Sequence, residues 1–337
     1  MAEAEAPLRI GVVGTGSLGF HHARILRDVP EMQMIGIFEA RAERAEEVSR
    51  ELEVASFDSL EGLLDGVDAV VIAVPTIHHE EVANAALARG VHVLVEKPMA
   101  PDLEAADRIL AAAEGSGAVV QIGHVERFNA ALQAAEEYLE KPLFIESHRI
   151  APFVPRSTDV AVVLDLMIHD VDLVQALVGE PIQDIAAVGL PVLTPNVDIA
   201  NARLTFSGGA VANLTASRVS VERMRKLRIF QRSGYLSLDM AQGTGEFLRL
   251  KKDLPFMAGH PDPASTIPEG GLEGLVERIP LEGKPVEPLR RELENFRDAC
   301  LGRGKPAVSG RDGREALAVT LSIEERIRSH VSHSRPS

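Results

Sequence analysis

Three groups of residues in this chain have the types and spacing for chemistry. The first is Gly14-Thr15-Gly16-Ser17-Leu18-Gly19. Glycines so spaced let backbone N–H groups close on a pyrophosphate at a helix N-terminus. Glu39 lies 20 residues beyond Gly19, at the end of the next apolar run. A carboxylate there accepts hydrogen bonds from adenosine ribose hydroxyls and repels a 2′-phosphate, which favours NAD. Arg41 and Arg44 follow closely and keep NADP as the alternative. The second group is Glu96-Lys97-Pro98. A lysine at a strand end moves a proton if desolvation lowers its pKa, although most lysines are solvated surface groups. The third is Asp165-Leu166-Met167-Ile168-His169. A carboxylate one helical turn before an imidazole orients it and raises its basicity, and a solvated polar face is the competing reading.

These residues need elements to hold them. Leu8–Val13 is a short β-rich run leading into the glycines, and Phe20–Arg27 is helical. Met34–Phe38, Val67–Val74, Val91–Val95 and Val119–Ile122 read as further strands. Helical stretches lie between, over Glu80–Arg89, with Gly90 as C-cap, and from an Asp102 N-cap through Ala113. Near-continuous apolar strands separated by helices predict a doubly wound parallel α/β sheet covered on both faces. The second half reads differently. Leu143–Arg149, Ile182–Val188, Ala202–Phe206, Ala210–Ser217, Leu227–Gln231 and Tyr235–Asp239 are strands with short, glycine-containing connections. They predict a mainly antiparallel sheet. Pro and Gly are dense between Asp253 and Pro288, which predicts an irregular excursion. Helices return over Leu289–Leu301 and Arg311–Arg328. We expect two domains, residues 1–124 and 125–337.

Within Val163–Leu173, a helical step of about 100° puts Asp165, His169 and Asp172 on one stripe. Val163, Met167, Val174 and Leu177 fall opposite, and Asp170 lies towards the apolar side. His21 and His22 read as packing or surface residues of the first helix.

Composition narrows the functions. The chain has 337 residues and a formal net charge of -15, which disfavours nucleic acid and anionic membranes as partners. The longest apolar stretch, Ala69–Pro75, is too short to span a bilayer, and Met1–Ala6 is acidic without an apolar signal region. A cytoplasmic protein is expected. One cysteine, Cys300, excludes an intrachain disulfide, and no His, Cys or carboxylate spacing suggests a metal site. Residues 201–235 run against the acidic balance. There Arg203, Arg218, Arg223, Arg225, Lys226, Arg228 and Arg232 face Glu222 alone. Arginine forks suit a diphosphate, and Arg149 and Arg156 add to the candidates, although solvated strand charges explain many such runs.

The glycine motif, Val74-Pro75-Thr76 with His79, and Glu96-Lys97-Pro98 together resemble the glucose–fructose oxidoreductase/inositol dehydrogenase/MocA family. The resemblance implies an N-terminal Rossmann domain and a C-terminal α+β domain with an open, mostly antiparallel sheet. Members associate through that sheet, so a homodimer or homotetramer is expected. It implies that Gly14 to Gly19, Glu39, Val74, Pro75, Thr76, His79, Glu96 and Lys97 serve the cofactor. Lys97 lies near the nicotinamide and the reacting hydroxyl, and an Asp-x-x-x-His helix, here Asp165 and His169, brings both residues to the substrate. Val160-Ala161-Val162-Val163 stands where many members have glycines, which points to a subgroup.

Gly123-His124-Val125-Glu126-Arg127-Phe128-Asn129, the Asp165–Asp172 helix and Ser309–Ala316 resemble one such subgroup, the bacterial UDP-N-acetylglucosamine 3-dehydrogenases. That resemblance implies oxidation of the sugar C3 hydroxyl to a ketone. A pyridoxal-phosphate aminotransferase then makes a 3-amino sugar for lipid A. The expected substrate residues are Lys97, Arg127, Arg156, Asp165, His169 and Arg218. Either His169, oriented by Asp165, or Lys97 takes the proton. A free-sugar or inositol dehydrogenase, a redox glycosidase and a non-catalytic sensor are the rival readings.

Overall fold

A computed structural model of the chain describes residues 6–154, 160–251 and 272–334. It divides into two compact units, residues 1–128 with 286–319, and residues 129–285 with 320–337.

The first unit alternates strands and helices. In order they are β1 (Leu8–Val13), α1 (Ser17–Leu26), β2 (Met32–Phe38), α2 (Ala42–Leu52), α3 (Leu60–Leu64), β3 (Ala69–Ile72), α4 (His79–Leu87), β4 (His92–Glu96), α5 (Leu103–Ser116) and β5 (Val120–Gly123). The five strands form one parallel sheet in the order β2-β1-β3-β4-β5. All four residues of β3 and of β5 are buried, as expected of strands covered on both faces. Asp102 caps α5 as the sequence predicts, its carboxylate accepting the Ala105 N–H at 2.8 Å.

The second unit contains α6 (Ala130–Ala135), β6 (Phe144–Ile150), a π-helical turn (Val163–Met167), α7 (Ile168–Val178) and β7 (Ile182–Leu190). They are followed by β8 (Ile199–Phe206), β9 (Val211–Ser217), β10 (Met224–Gln231), β11 (Gly234–Asp239), β12 (Thr244–Leu250), α8 (Leu272–Leu275) and β13 (Val276–Glu282). Eight strands pair in the order β13-β12-β11-β10-β6-β9-β8-β7, antiparallel except for the parallel pair β6 and β9. Burial alternates along β6, β8 and β9, so this sheet has one packed face and one open face.

Two sequence expectations change here. The Asp253–Pro288 excursion contains an ordered edge strand, β13, and residues 252–271 lie outside the described residues. The expected second domain is not continuous. After β13 the chain returns to the first unit through α9 (Pro288–Cys300) and the start of α10 (Gly310–Ser334). The reason is apolar packing. Leu293 and Phe296 of α9 are fully buried in the core that contains Ile10 and Val12 of β1 and Leu26 of α1. Residues 308–309 also run beside β5, where the Ile122 N–H donates to the Val308 carbonyl at 3.0 Å.

Candidate active site

The C-terminal ends of β1 to β5 carry the first half of the chemistry. Gly14 follows β1 at a φ of +83°, where a Cβ would lie 2.8 Å from Val74 Cγ1. A Cβ on Gly19 would collide with the Gly14 carbonyl oxygen, so glycine there lets α1 start against the turn. Gly16 is different. Its Cβ would meet no protein atom within 4 Å, leaving an open approach to backbone N–H groups at the start of α1. Thr15 is buried, while Ser17 and Leu18 are exposed at the helix start. This cradle fits the pyrophosphate of a dinucleotide.

The pair of glycines gives a discriminating expectation. Gly16→Ala keeps its melting temperature within about 2 °C of the parent, since its Cβ meets open space. It loses NAD affinity about tenfold or more, because that space belongs to the ligand. Gly19→Ala loses both stability and affinity. Calorimetric titration with NAD, beside thermal melts, checks this.

Glu39 braces the loop from β2. One carboxylate oxygen accepts the Thr15 N–H at 2.8 Å and its hydroxyl at 3.2 Å. The other accepts the Arg41 N–H at 3.2 Å and Nε at 3.1 Å. Burial pushes this carboxyl up, but the Thr15 N–H and the bonds and charge of Arg41 outweigh it and hold it below the ordinary range. It is therefore an anion at neutral pH, as ribose recognition requires. The arginines behind it are engaged locally: Arg41 on Glu39, and Arg44 on the Thr15 carbonyl, Glu47 and the Phe20 ring.

Val74, Pro75 and Thr76 follow β3, with Thr76 opening a short 3₁₀ turn. His79, expected to serve the cofactor, is 1% exposed, with Nε2 2.9 Å from the Val74 carbonyl and Nδ1 3.0 Å from the Pro98 carbonyl. Burial lowers its pKa against the opposing pull of those carbonyls and of Glu96.

Glu96 ends β4, and Lys97 follows, half-buried. His22 was expected to be a packing or surface residue of the first helix. It is fully buried, its Nε2 donating to Glu96 Oε1 at 2.7 Å. Glu96 Oε2 accepts the Lys97 N–H at 3.2 Å. Burial raises the Glu96 pKa, but the His22 bond, the charges of His22 and Lys97, and the Lys97 N–H together hold it below the ordinary range. Across the ladder from Glu96 stands Gly123, where a Cβ would lie 3.0 Å from Glu96 Oε2, so only glycine leaves that carboxylate its room. Arg127, just beyond, is half-buried. A signal for His22 existed: Gly19, His22, Ala23 and Leu26 form one buried stripe of α1.

The second unit carries the rest. Asp165 sits in the π-helical turn and His169 in the first turn of α7, both half-buried. The predicted regular helix is thus widened at Asp165, so positions four apart do not stack as in an α-helix there; such turns recur at functional sites. Asp172, expected on the same polar stripe, is 1% exposed. Asp170 has a clear role. Its carboxylate accepts from Arg149 Nε at 2.7 Å and Nη2 at 3.1 Å, and from the Ser147 hydroxyl at 2.8 Å. The pair pins α7 to β6.

Arg218, expected at the substrate, is 5% exposed, and its guanidinium bonds within the protein. Nε donates to Asp198 at 2.8 Å, Nη1 to the Val160 carbonyl at 2.6 Å and Nη2 to the Thr194 hydroxyl at 3.0 Å. Nor do the neighbouring cations collect into one site. Arg203, Lys226 and Arg228 lie on the open face, against Asn213, Asp239 and Glu146. Arg225 shares the packed face with Arg149, its ladder partner. Arg156 lies outside the described residues. Among the described residues no helix is long and apolar enough to cross a membrane.

Fold and site together define an oxidoreductase built on a dinucleotide-binding Rossmann domain. Residues 8–124 match the model of the oxidoreductase family with an NAD-binding Rossmann fold, and residues 138–237 match the GFO/IDH/MocA C-terminal domain. The chain is 38% identical to a UDP-N-acetylglucosamine 3-dehydrogenase of Acidithiobacillus ferrooxidans over 94% of its own length and 96% of that protein. The crystal structure of that enzyme, GnnA, superposes with a TM-score of 0.86 at 36% identity, covering 96% of this chain and 98% of that one. A scyllo-inositol 2-dehydrogenase of Bacillus subtilis is 30% identical over 64% of this chain and 69% of its own. The chain belongs to the Gfo/Idh/MocA family of oxidoreductases.

Proposed function

We propose that this chain is an NAD-dependent dehydrogenase of a sugar nucleotide, oxidising the C3 hydroxyl of UDP-N-acetylglucosamine to a ketone. The observation that supports it most is the 38% identity to an enzyme of that activity across 94% of the chain. The inositol dehydrogenase is less similar, at 30% identity. Gly14 to Gly19, Glu39, Val74 to Thr76 and Glu96 would hold the dinucleotide, which would supply a hydride acceptor for the carbinol carbon. His169 takes the hydroxyl proton, Asp165 orients its ring, and Lys97 stabilises the developing alkoxide. The exchange of roles between Lys97 and His169 is the second assignment. Arg127 and Arg156 serve the diphosphate.

Around the reaction, a pyridoxal-phosphate aminotransferase consumes the ketone to make a 3-amino sugar for lipid A, and the pathway runs in the cytoplasm. A second copy covers the open sheet face, where Val188, Leu190, Ile199 and Met224 are exposed. Light scattering should return a dimer or tetramer mass, and a monomer at micromolar concentration would overturn that part.

The test is NAD reduction by purified protein across UDP-sugars, free sugars and inositols. An aminotransferase and glutamate are included to draw off a ketone whose formation is uphill. NADH formed only with UDP-N-acetylglucosamine supports the proposal. Activity on inositol or a free sugar instead keeps the family chemistry and overturns the substrate. No NADH from any substrate, with NAD held tightly, transfers the weight to a redox glycosidase or a sensor.

A further inference from the structure

The tripeptide that carries Lys97 is held on both sides by buried histidines. On one side His22 of α1 donates to Glu96 Oε1 at 2.7 Å, and Glu96 Oε2 accepts the Lys97 N–H at 3.2 Å. On the other side His79 of α4 lies 3.0 Å from the Pro98 carbonyl and 2.9 Å from that of Val74. His22 is 0% exposed and His79 1% exposed, so neither ring is available to a substrate. Buried polar groups of this kind are costly unless hydrogen-bonded, and the bonds His22 and His79 make end beside Lys97 or on the β3 loop.

We propose that His22 and His79 are positioning residues, a two-sided brace that sets the place of the Lys97 amine relative to the dinucleotide loops. The inference rests on the dehydrogenase reading above. Its logic is geometric. Each histidine sits on a helix that begins at a cofactor segment: α1 opens from the glycine loop, and α4 follows Val74-Pro75-Thr76. The two loops and the lysine are therefore tied through short, buried bonds rather than through long exposed side chains. The lysine's own backbone N–H, its preceding side chain and its following carbonyl are all taken up.

The experiment uses the full-length protein with His22→Leu, His22→Gln and His79→Gln. His22→Leu removes the donor to Glu96, while His22→Gln restores an N–H near the same place. The expected result for His22→Leu is a kcat about a hundredfold lower, with the KM for the sugar nucleotide and the Kd for NAD within about threefold. His22→Gln recovers about tenfold of that loss. A second readout needs no turnover. The acylation rate of Lys97 in NAD-free protein, followed by peptide mass spectrometry, rises about threefold or more in His22→Leu and in His79→Gln. Looser backbone holding of the tripeptide in either variant acts in that direction.

Parental kcat and parental Lys97 reactivity in the variants overturn the brace. So does an equal loss of kcat and NAD affinity with no recovery by glutamine, which marks a merely structural role. If His22→Leu does not fold, His22→Gln and His79→Gln carry the test through the labelling rate. If the parent protein reduces no NAD, the dehydrogenase reading fails, and the labelling rate still decides whether the histidines govern Lys97.

Discussion

Lys97→Ala lowers kcat by about a thousandfold or more and leaves the Kd for NAD within about threefold. The asymmetry follows from where the residue sits. In the proposed function, pyrophosphate and ribose are served by the glycine loop and Glu39, after β1 and β2, whose geometry does not depend on the lysine side chain. Lys97 is half-buried, so its truncation opens no core cavity, and its backbone remains held through Glu96. What disappears under the proposed mechanism is a cation beside the developing alkoxide, a contribution realised only in the transition state. Lys97→Arg separates the two assignments. Arginine keeps the charge but does not give up a proton at accessible pH. Partial activity of that variant means Lys97 acts electrostatically and His169 is the proton acceptor. Complete loss, with His169→Ala retaining measurable turnover, means the reverse. Near-parental turnover of Lys97→Ala removes the residue from the reaction altogether.

The largest expected effect on stability lies elsewhere. Asp198→Ala destabilises the protein by about 3–5 kcal/mol, because it leaves the Arg218 guanidinium buried without its counter-charge. Asp198 is fully buried, and one of its oxygens accepts three backbone N–H groups, from Val192 at 2.8 Å, Leu193 at 2.6 Å and Thr194 at 2.8 Å. The other accepts from Arg218 Nε and from the Thr194 hydroxyl, both at 2.8 Å. Replacing Asp198 and Arg218 together by apolar residues costs less than Asp198→Ala alone. Chemical denaturation of the three variants measures the difference, and equal losses for single and double replacements would remove the pair from the account.

The same carboxylate has a pH signature. Burial alone would raise its pKa, but the Thr194 and Val192 N–H groups, Arg218 and the Thr194 hydroxyl hold it well below the usual aspartate range. A carboxyl whose folded pKa is depressed contributes stability that is complete above its unfolded value, about pH 4, and is lost as pH falls below that. The parent therefore loses stability on acidification below pH 4 more steeply than Asp198→Asn does.

Much of this was legible in the sequence. The parallel sheet was, because strands buried on both faces read as unbroken apolar runs, and helices fit between them. The glycine loop was, because its requirement is local: a left-handed φ at Gly14 and a contact at Gly19 that only a hydrogen fits. Strand β13 was hidden by Pro280, which reads as a breaker in a Pro- and Gly-rich stretch. An edge strand tolerates proline, and β13 pairs on one side only. The return of α9 to the first unit was hidden too, since an amphipathic pattern says that one face is buried but not against which core.

What the sequence by itself determined is the chemistry available: a phosphate cradle, an anion at Glu39, a lysine at a strand end, and an aspartate–histidine pair. Periodicity and turn requirements are set within a few residues, so they can be read from one segment at a time. Only the tertiary structure decided which charged groups stay available for chemistry. Asp198 claims Arg218, Asp170 claims Arg149, and Glu96 claims His22, over separations of 20, 21 and 74 residues. Each partner is chosen by which strands and helices lie side by side in a low-dielectric interior, where an unpaired charge is too costly to remain.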